Sequence, residues 1–123
     1  MKRISKSELS EKFALIETYW SPHIVAQLNG QQVRIAKVKG EFTWHHHEHE
    51  DEMFFVIKGS LTIRLRDQDD VVLNRGELVV IPRGVEHQPF AEEETHLLLF
   101  EPASTVNTGN VRNEQTKDEL KRL

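Results

Sequence analysis

Residues 45–52 read HHHEHEDE and residues 76–87 read GELVVIPRGVEH, and these two stretches decide the interpretation of the chain. In the first stretch His45 and His47 are two residues apart, which places both imidazoles on the same side of a β-strand. Glu52 follows after room for a short turn, and His87 ends the second stretch. Two neutral imidazoles and a carboxylate on adjacent strands can bind Fe(II), Mn(II), Ni(II), Cu(II) or Zn(II), and a third imidazole from a later strand would complete the set. The spacing therefore indicates a candidate metal site.

The sequence around these stretches has the pattern of short β-strands. Val33 and Ile35 alternate with polar residues, and the same alternation runs along residues 61–65, as in half-buried strands. Residues 53–57 and 78–81 are continuous apolar runs, which are typical of strands covered on both faces. Turn-forming residues separate these segments at short intervals, so the pattern predicts an all-β sandwich or barrel.

The two stretches resemble the paired motifs of the cupin superfamily. The first motif is a glycine, His-x-His, a glutamate and a closing glycine, and it corresponds here to Gly40, His45-His46-His47, Glu52 and Gly59. The second motif is Gly-x5-Pro-x-Gly-x2-His, and it is matched in full by Gly76, Pro82, Gly84 and His87. Ala91 stands where the family's second motif ends in asparagine, a position that is not a metal ligand in the family. The resemblance covers residues 40–91.

This resemblance implies a double-stranded β-helix, or jelly-roll barrel, of the small single-domain type with a metal ion at its mouth. It implies that the metal ligands are His45, His47, Glu52 and His87, a set that we call the ligand cluster. Three imidazoles and one carboxylate would leave about two positions of an octahedral ion open to water, oxygen or substrate. A single carboxylate leaves the site with a net charge near +1, which favours an anionic or oxygen-rich substrate.

The chain divides into an N-terminal helical arm that packs on the barrel, the barrel itself and a polar C-terminal tail, over residues 1–30, 31–103 and 104–123. Ser5 and Glu8 have the spacing of a capping box, and apolar residues then recur at helical intervals. We therefore expect an amphipathic helix over residues 6–19. A short second helix is expected over residues 116–123.

Four further histidines lie outside the ligand cluster. His46 has the opposite strand parity from its neighbours, which favours a surface position. His49 is a candidate proton shuttle at the barrel mouth, because imidazole titrates near neutral pH. His23 and His96 are assigned no role.

Strand parity also predicts an apolar outer face on the barrel. With Glu52 facing inward, Phe54 and Val56 lie beside the metal site, and Phe55 and Ile57 face outward. An uncovered outer face would expose a large apolar patch, so the N-terminal helix or a second subunit must cover it. The sequence therefore predicts a homodimer.

Composition excludes several classes of protein. The 123 residues include 16 Lys and Arg against 20 Asp and Glu, so there is no basic excess of the kind that binds nucleic acid. Cysteine is absent, which excludes disulfides, thiol nucleophiles and iron–sulfur clusters and agrees with a cytoplasmic location. The apolar runs are too short to span a membrane, and the first residues do not have the pattern of a signal peptide.

The function expected from the sequence is that of a small metal-dependent enzyme with a small-molecule substrate. A redox-active ion would suit dioxygenase-type chemistry, and a Lewis-acidic ion would suit isomerase- or decarboxylase-type chemistry. The sequence does not choose between them. A non-catalytic cupin that binds or senses a small molecule is the alternative, because one fold hosts many functions. A metal-stabilised structural domain is a third interpretation, and it predicts a closed coordination shell.

Overall fold

The computed structural model describes residues 2–123, and antiparallel strands are its main secondary structure. A short helix, α1 (Leu9–Phe13), precedes the strands β1 (His23–Leu28), β2 (Gln31–Glu41), β3 (Glu52–Lys58), β4 (Ser60–Leu65), β5 (Val71–Asn74), β6 (Leu78–Ile81) and β7 (His87–Pro102). The predicted all-β barrel is confirmed. Among the described residues, no helix is long and apolar enough to cross a membrane.

The long strand β7 joins the two halves of the barrel. Its first residues, His87–Phe90, pair with β4, and its later residues pair with both β2 and β3. The sheet order is β1-β2-β7-β3-β6, with β5 on the far side of β4. His87, the first residue of β7, is fully buried in the interior of the barrel.

The alternating burial along β3 defines the inner face of the barrel. Glu52, Phe54 and Val56 are buried, while the residues between them are half-buried, as strand parity predicted. Val56 packs with Leu61 and other fully buried side chains in the main core. Each such side chain contributes about 1.5–3 kcal/mol through removal of its apolar surface from water.

The N-terminal helix is much shorter than predicted. The expectation of a helix over residues 6–19 is wrong, since α1 contains five residues and is capped by Glu8, whose side chain accepts hydrogen bonds from the N–H groups of Ser10 and Glu11. Beyond α1 the chain pairs with β2, where Tyr19 forms a parallel bridge with Lys37. Strand pairing thus replaces helical hydrogen bonds, although Phe13 is still buried as the apolar stripe required.

The C-terminal tail forms no helix, so the helix expected over residues 116–123 is also a wrong prediction. The tail instead runs beside β1, with hydrogen bonds from the Ile24 N–H to the Lys121 carbonyl at 2.9 Å and from the Leu123 N–H to the Ile24 carbonyl at 2.9 Å. Strand β1 itself lies in the segment that the sequence assigned to the helical arm, and it pairs with β2. The C-terminal tail therefore packs along β1, whereas Tyr19 of the N-terminal segment pairs with β2.

The outer face of the sheet is covered at one end only. Ile35 is buried beneath Phe13 and Ile16, next to α1. At the other end, on β6, Leu78 is 57% exposed and Val80 is 51% exposed. The expectation that the run 78–81 is covered on both faces is therefore not met within this chain.

Candidate metal centre

The barrel brings the four residues of the ligand cluster together in its interior. His45 and His47 lie in the segment between β2 and β3, whereas Glu52 begins β3 and His87 begins β7. His45 and His87 are joined by a two-way backbone bridge, with N···O distances of 3.0 and 2.8 Å. All four side chains are buried, and one nitrogen or oxygen atom from each lies within 4.8 Å of the others.

Backbone carbonyl groups orient two of the imidazoles. His45 Nδ1 lies 2.9 Å from the Thr43 carbonyl oxygen, and His87 Nδ1 lies 2.9 Å from the Val85 carbonyl oxygen. A carbonyl oxygen only accepts, so each Nδ1 carries the proton and donates it. The Nε2 lone pair of each ring is therefore free to bind a cation, which is the usual arrangement around a metal-ligating histidine.

Several buried polar atoms of the ligand cluster lack hydrogen-bond partners. They are His47 Nδ1, His47 Nε2, Glu52 Oε1 and His87 Nε2. Glu52 Oε1 is 3.3 Å from His47 Nε2 and 3.6 Å from His87 Nε2. Leaving such groups unpaired costs about 1–3 kcal/mol each, and a cation between them would remove that cost. Nitrogen and carboxylate donors in this number fit a divalent metal ion.

The protonation states also suit a metal. Burial and the nearby His87 lower the pKa of His45 to about 4, so this imidazole is neutral at physiological pH. Burial by itself raises the pKa of Glu52, but the adjacent side chains of His47 and His87 outweigh this effect and hold that pKa well below its usual value. Neutral imidazole and ionised carboxylate are the forms that bind metal without first releasing a proton.

The metal-free protein should therefore lose stability in acid through His45. Between pH 6.5 and about 4 the imidazole binds a proton in the unfolded chain and not in the folded one, so the free energy of unfolding falls as the pH falls. From pH 7 to pH 5 this loss amounts to about 2 kcal/mol. We expect the free energy of unfolding, measured in urea on metal-free protein, to fall between pH 7 and pH 5 by that much more in the wild type than in the His45→Gln variant.

The His45→Gln variant is the control that this pH experiment needs. Burial and the charge of Glu52 raise the pKa of Glu101, which stabilises the fold as the pH falls and opposes His45. This opposing effect is present in both proteins and cancels in the comparison. Parallel pH profiles for the two proteins would contradict the assignment of a neutral, buried His45.

A small apolar cavity adjoins the ligand cluster. Its volume is about 40 Å³, enough for one or two water molecules, and its polar lining comes from His45, Glu52, Glu101 and Asn107. Trp20 forms part of the wall, stacks on Phe42 at 4.8 Å and donates from Nε1 to the Lys39 carbonyl at 2.9 Å. Its backbone has φ +60°, an uncommon conformation for a bulky residue, so this indole is held in place by its contacts.

The other histidines of the motif lie outside this interior. His49 has an 84% exposed side chain and is not part of the buried set, so its role as a proton shuttle stays a prediction. His46 is half-buried. Its backbone N–H donates to Asn110 Oδ1 at 2.8 Å, and its carbonyl accepts from the Asn110 N–H at 3.0 Å.

Sequence reasoning missed a buried ion pair beside the ligand cluster. Arg34 and Glu101 are both 2% exposed, and Arg34 Nη1 lies 3.2 Å from Glu101 Oε2. Arg34 stands between two apolar residues of β2, and Glu101 is the last charged residue before Pro102. Alternation alone assigns such residues to solvent, so no sequence pattern pointed to them.

Comparison with known proteins identifies the family. The family model described as "Cupin domain" matches residues 31–101. The uncharacterized protein YdbB of Bacillus subtilis (strain 168) is 38% identical over 64 residues, which are 52% of this chain and 57% of that protein. The chain thus matches little more than half the length of this relative.

Two solved structures share the fold. A cupin-2 domain containing protein from Shewanella frigidimarina is 45% identical, with a TM-score of 0.75 over 78% of this chain and 93% of that chain. Hydroquinone 1,2-dioxygenase from Sphingomonas sp. TTNP3 is 16% identical, with a TM-score of 0.75 over 82% of this chain and 33% of that chain. At that identity the second likeness concerns the fold alone.

Proposed function

The chain belongs to the cupin domain family, and on this premise we propose that it is a metal-dependent protein that acts on a small, oxygen-bearing organic molecule. The observation that carries the proposal is the ligand cluster, whose donor atoms converge in the interior without other partners. The bound ion would be Fe, Mn, Ni or Zn, held by three imidazoles and one carboxylate.

Dioxygenase-type or isomerase/decarboxylase-type chemistry is the reaction that such a site would support. A bound ion would supply redox or Lewis-acid chemistry at its open positions. Around it, Phe54 and Phe42 provide an apolar wall, and Glu52, as a ligand of the ion, would be a poor free base. Proton transfer then falls to another group, and His49 is our candidate if the surface segment that carries it moves inward.

The first experiment measures the metal itself. Protein purified without chelator or affinity nickel should contain about one equivalent of a single transition metal by elemental analysis. Oxygen uptake with candidate substrates then separates redox chemistry from Lewis-acid chemistry. Protein that neither retains nor rebinds a divalent ion would overturn the proposal.

Non-catalytic binding of a small molecule is the second candidate function, and the lining of the cavity favours it. The titratable residues in that lining are the proposed ligands His45 and Glu52 and the Arg34-paired Glu101, so the cavity offers no free acid or base for catalysis. A ligand that binds the metal-loaded protein and is recovered unchanged would support this alternative. Turnover of the bound ligand would support the enzyme.

We also propose that the protein is a homodimer in the cytoplasm, as suits a chain without cysteine. The strand register places six apolar residues side by side on the outer face, and we call them the outer patch: Met53, Phe55, Leu78, Val80, Leu98 and Phe100. The patch contains no charged residue, and it reaches the edge strand β6. A second copy presenting the same patch about a two-fold axis would cover it.

Disruption of the outer patch tests the dimer. Val80→Asp places a charge on an exposed position within the proposed interface, so we expect the dissociation constant of the dimer to rise by more than about 100-fold. Val72→Asp is the matched control, because Val72 is 54% exposed on β5, outside the patch. Sedimentation equilibrium measures both. Wild-type protein that is monomeric, or a Val72→Asp effect as large as that of Val80→Asp, would contradict the prediction.

A further inference from the structure

Trp20 bounds the cavity beside the ligand cluster from a segment that belongs to no strand. The cavity is lined by two of the proposed metal ligands, His45 and Glu52, and also by Trp20. Trp20 lies after α1 and before β1, outside the barrel strands. A molecule that is bound to the ion and extends past His45 and Glu52 into the cavity therefore meets this indole.

The rest of the apolar lining belongs to the interior of the barrel. Ala36 and Leu97, for example, pair across β2 and β7, and both are buried. Among the described residues that line the cavity, only Trp20 and Asn107 are half-buried, and all the others are buried. Trp20 is thus the apolar side chain of the lining that lies nearest to the surface.

Hydrogen bonds and stacking hold the indole at this position. The Trp20 N–H donates to the Lys37 carbonyl at 2.9 Å, and Nε1 donates to the Lys39 carbonyl at 2.9 Å. The indole stacks on Phe42 with ring centroids 4.8 Å apart, and Phe42 makes an edge contact with the His45 ring at 5.4 Å. The indole therefore lies along the end of β2, one aromatic ring away from a proposed ligand.

The backbone of Trp20 has a conformation that disfavours a large side chain. Its φ is +60°, in the left-handed region, where glycine is the usual residue and a bulky residue is uncommon. Strained residues of this kind persist only where their contacts hold them, and they cluster at functional sites. The strain at Trp20 accompanies the placement of its ring in the wall of the candidate site.

We propose that Trp20 is a specificity-determining residue, whose indole limits the size of the apolar group that a molecule bound to the metal ion can carry. The inference rests on the proposed metal-binding function and names the class of its ligand. That ligand joins an oxygen-bearing head, which binds the ion, to a small apolar body, which occupies a cavity of about 40 Å³. A larger body overlaps the indole and binds only when the indole is displaced.

Two probes with the same metal-binding group measure this limit. Acetohydroxamate and benzohydroxamate both chelate a divalent ion through two oxygen atoms, and they differ in carrying a methyl or a phenyl group. Titration of the Co(II)-loaded full chain with each probe, followed by the visible d–d bands, gives two Kd values. Their ratio, benzohydroxamate over acetohydroxamate, is compared between variants, so a change in the shared chelating contact cancels.

Removal of the indole should relieve the penalty on the phenyl group. Trp20→Gly takes away the side chain and suits the left-handed backbone, so the barrel should remain folded. We expect this variant to lower the ratio by about 10–100-fold relative to the wild type, in the range that a group too large for an apolar pocket costs. Trp20→Phe carries a smaller ring and should shift the ratio less, in the same direction.

Tyr19→Ala is the matched control on the same segment. It removes an aromatic side chain that is 44% exposed, together with the hydrogen bond from its hydroxyl to Glu94 at 2.9 Å. Tyr19 does not line the cavity. We expect the wild-type ratio in this variant, because loosening of the segment alone leaves the indole in the wall.

Thermal unfolding shows whether each variant is folded, and Trp20→Phe takes the place of Trp20→Gly if the glycine variant does not fold. An unchanged or increased ratio in the folded Trp20 variant would overturn the inference, and an increase would mean that the indole supports the phenyl group by stacking. An equal decrease in Tyr19→Ala would also overturn it, as would wild-type protein that holds Co(II) and binds neither hydroxamate. Failure of the wild type to bind Co(II) would remove the proposed function as well, whereas the other results remove this inference alone.

Discussion

Replacement of His47 by glutamine should lower the affinity for a divalent metal ion by more than about 100-fold, beyond the range seen when only a supporting hydrogen bond is lost. Both ring nitrogens of His47 are buried without a hydrogen-bond partner. Removal of the ring therefore breaks no hydrogen bond of the protein, and the fold should keep its stability in the absence of metal. The substitution should therefore lower the affinity for metal without lowering the stability of the metal-free fold.

His49→Gln is the matched control, two residues further along the same segment. The His49 side chain is 84% exposed and does not belong to the ligand cluster. We expect its Kd for Co(II) or Zn(II) to equal that of the wild type, measured by chelator competition and by metal content after dialysis. Equal losses in the two variants would mean that the histidine-rich segment binds metal as a surface tract, not through the buried site.

The ligand cluster could be predicted because the two motifs resemble those of the cupin superfamily, and that resemblance implied all four ligands. His45 and His47 are brought together although both lie between β2 and β3 and not on a named strand, and the second motif brings in His87 through the strand β7 that it begins. The assignment of Glu52, Phe54 and Val56 to one face followed from strand parity, and their burial agrees. Alternation along a strand is a short-range property, so no knowledge of the remaining fold was needed.

The parity of β2 shows where such reasoning stops. Val33 and Ile35 suggested an apolar inner face, yet Arg34 and Ala36 point into the barrel and Ile35 packs outward under Phe13. Both faces of this strand are covered, and alternation cannot tell which is the interior. A buried arginine is stable there only because Glu101 and carbonyl groups distant in sequence receive its donors.

The wrong helix predictions over residues 6–19 and 116–123 have a different physical origin. Residues 14–20 keep helical spacing of apolar side chains, but hydrogen bonds with β2, such as Trp20 N–H to the Lys37 carbonyl at 2.9 Å, end the helix. The C-terminal tail forms backbone hydrogen bonds with β1 in the same way. Isolated helices shorter than about 12–15 residues are marginally stable, so pairing with an available strand decides the outcome.

Gly109→Ala should destabilise the protein and damage the candidate metal site together. Gly109 has φ +55°, and a Cβ atom there would overlap the carbonyl oxygen of His46, with His46 C at 2.9 Å and His45 Cδ2 at 3.1 Å. The colliding atoms belong to the backbone, so no rotamer change can relieve them. The loop must move away from His45 and His46, which breaks the hydrogen bonds between His46 and Asn110.

We expect this substitution to cost about 3 kcal/mol of unfolding free energy in urea and to weaken Co(II) binding by about tenfold through displacement of His45. Gly76→Ala separates the clash from the backbone conformation, since Gly76 has φ +83° and no atom within 4 Å of the added Cβ. That control should lose about 1 kcal/mol and keep the wild-type Kd. Equal losses in the two variants would show that the loop does not press on the ligand segment, and an unchanged Kd in a destabilised Gly109→Ala protein would show that His45 is held by its bridge to His87 alone.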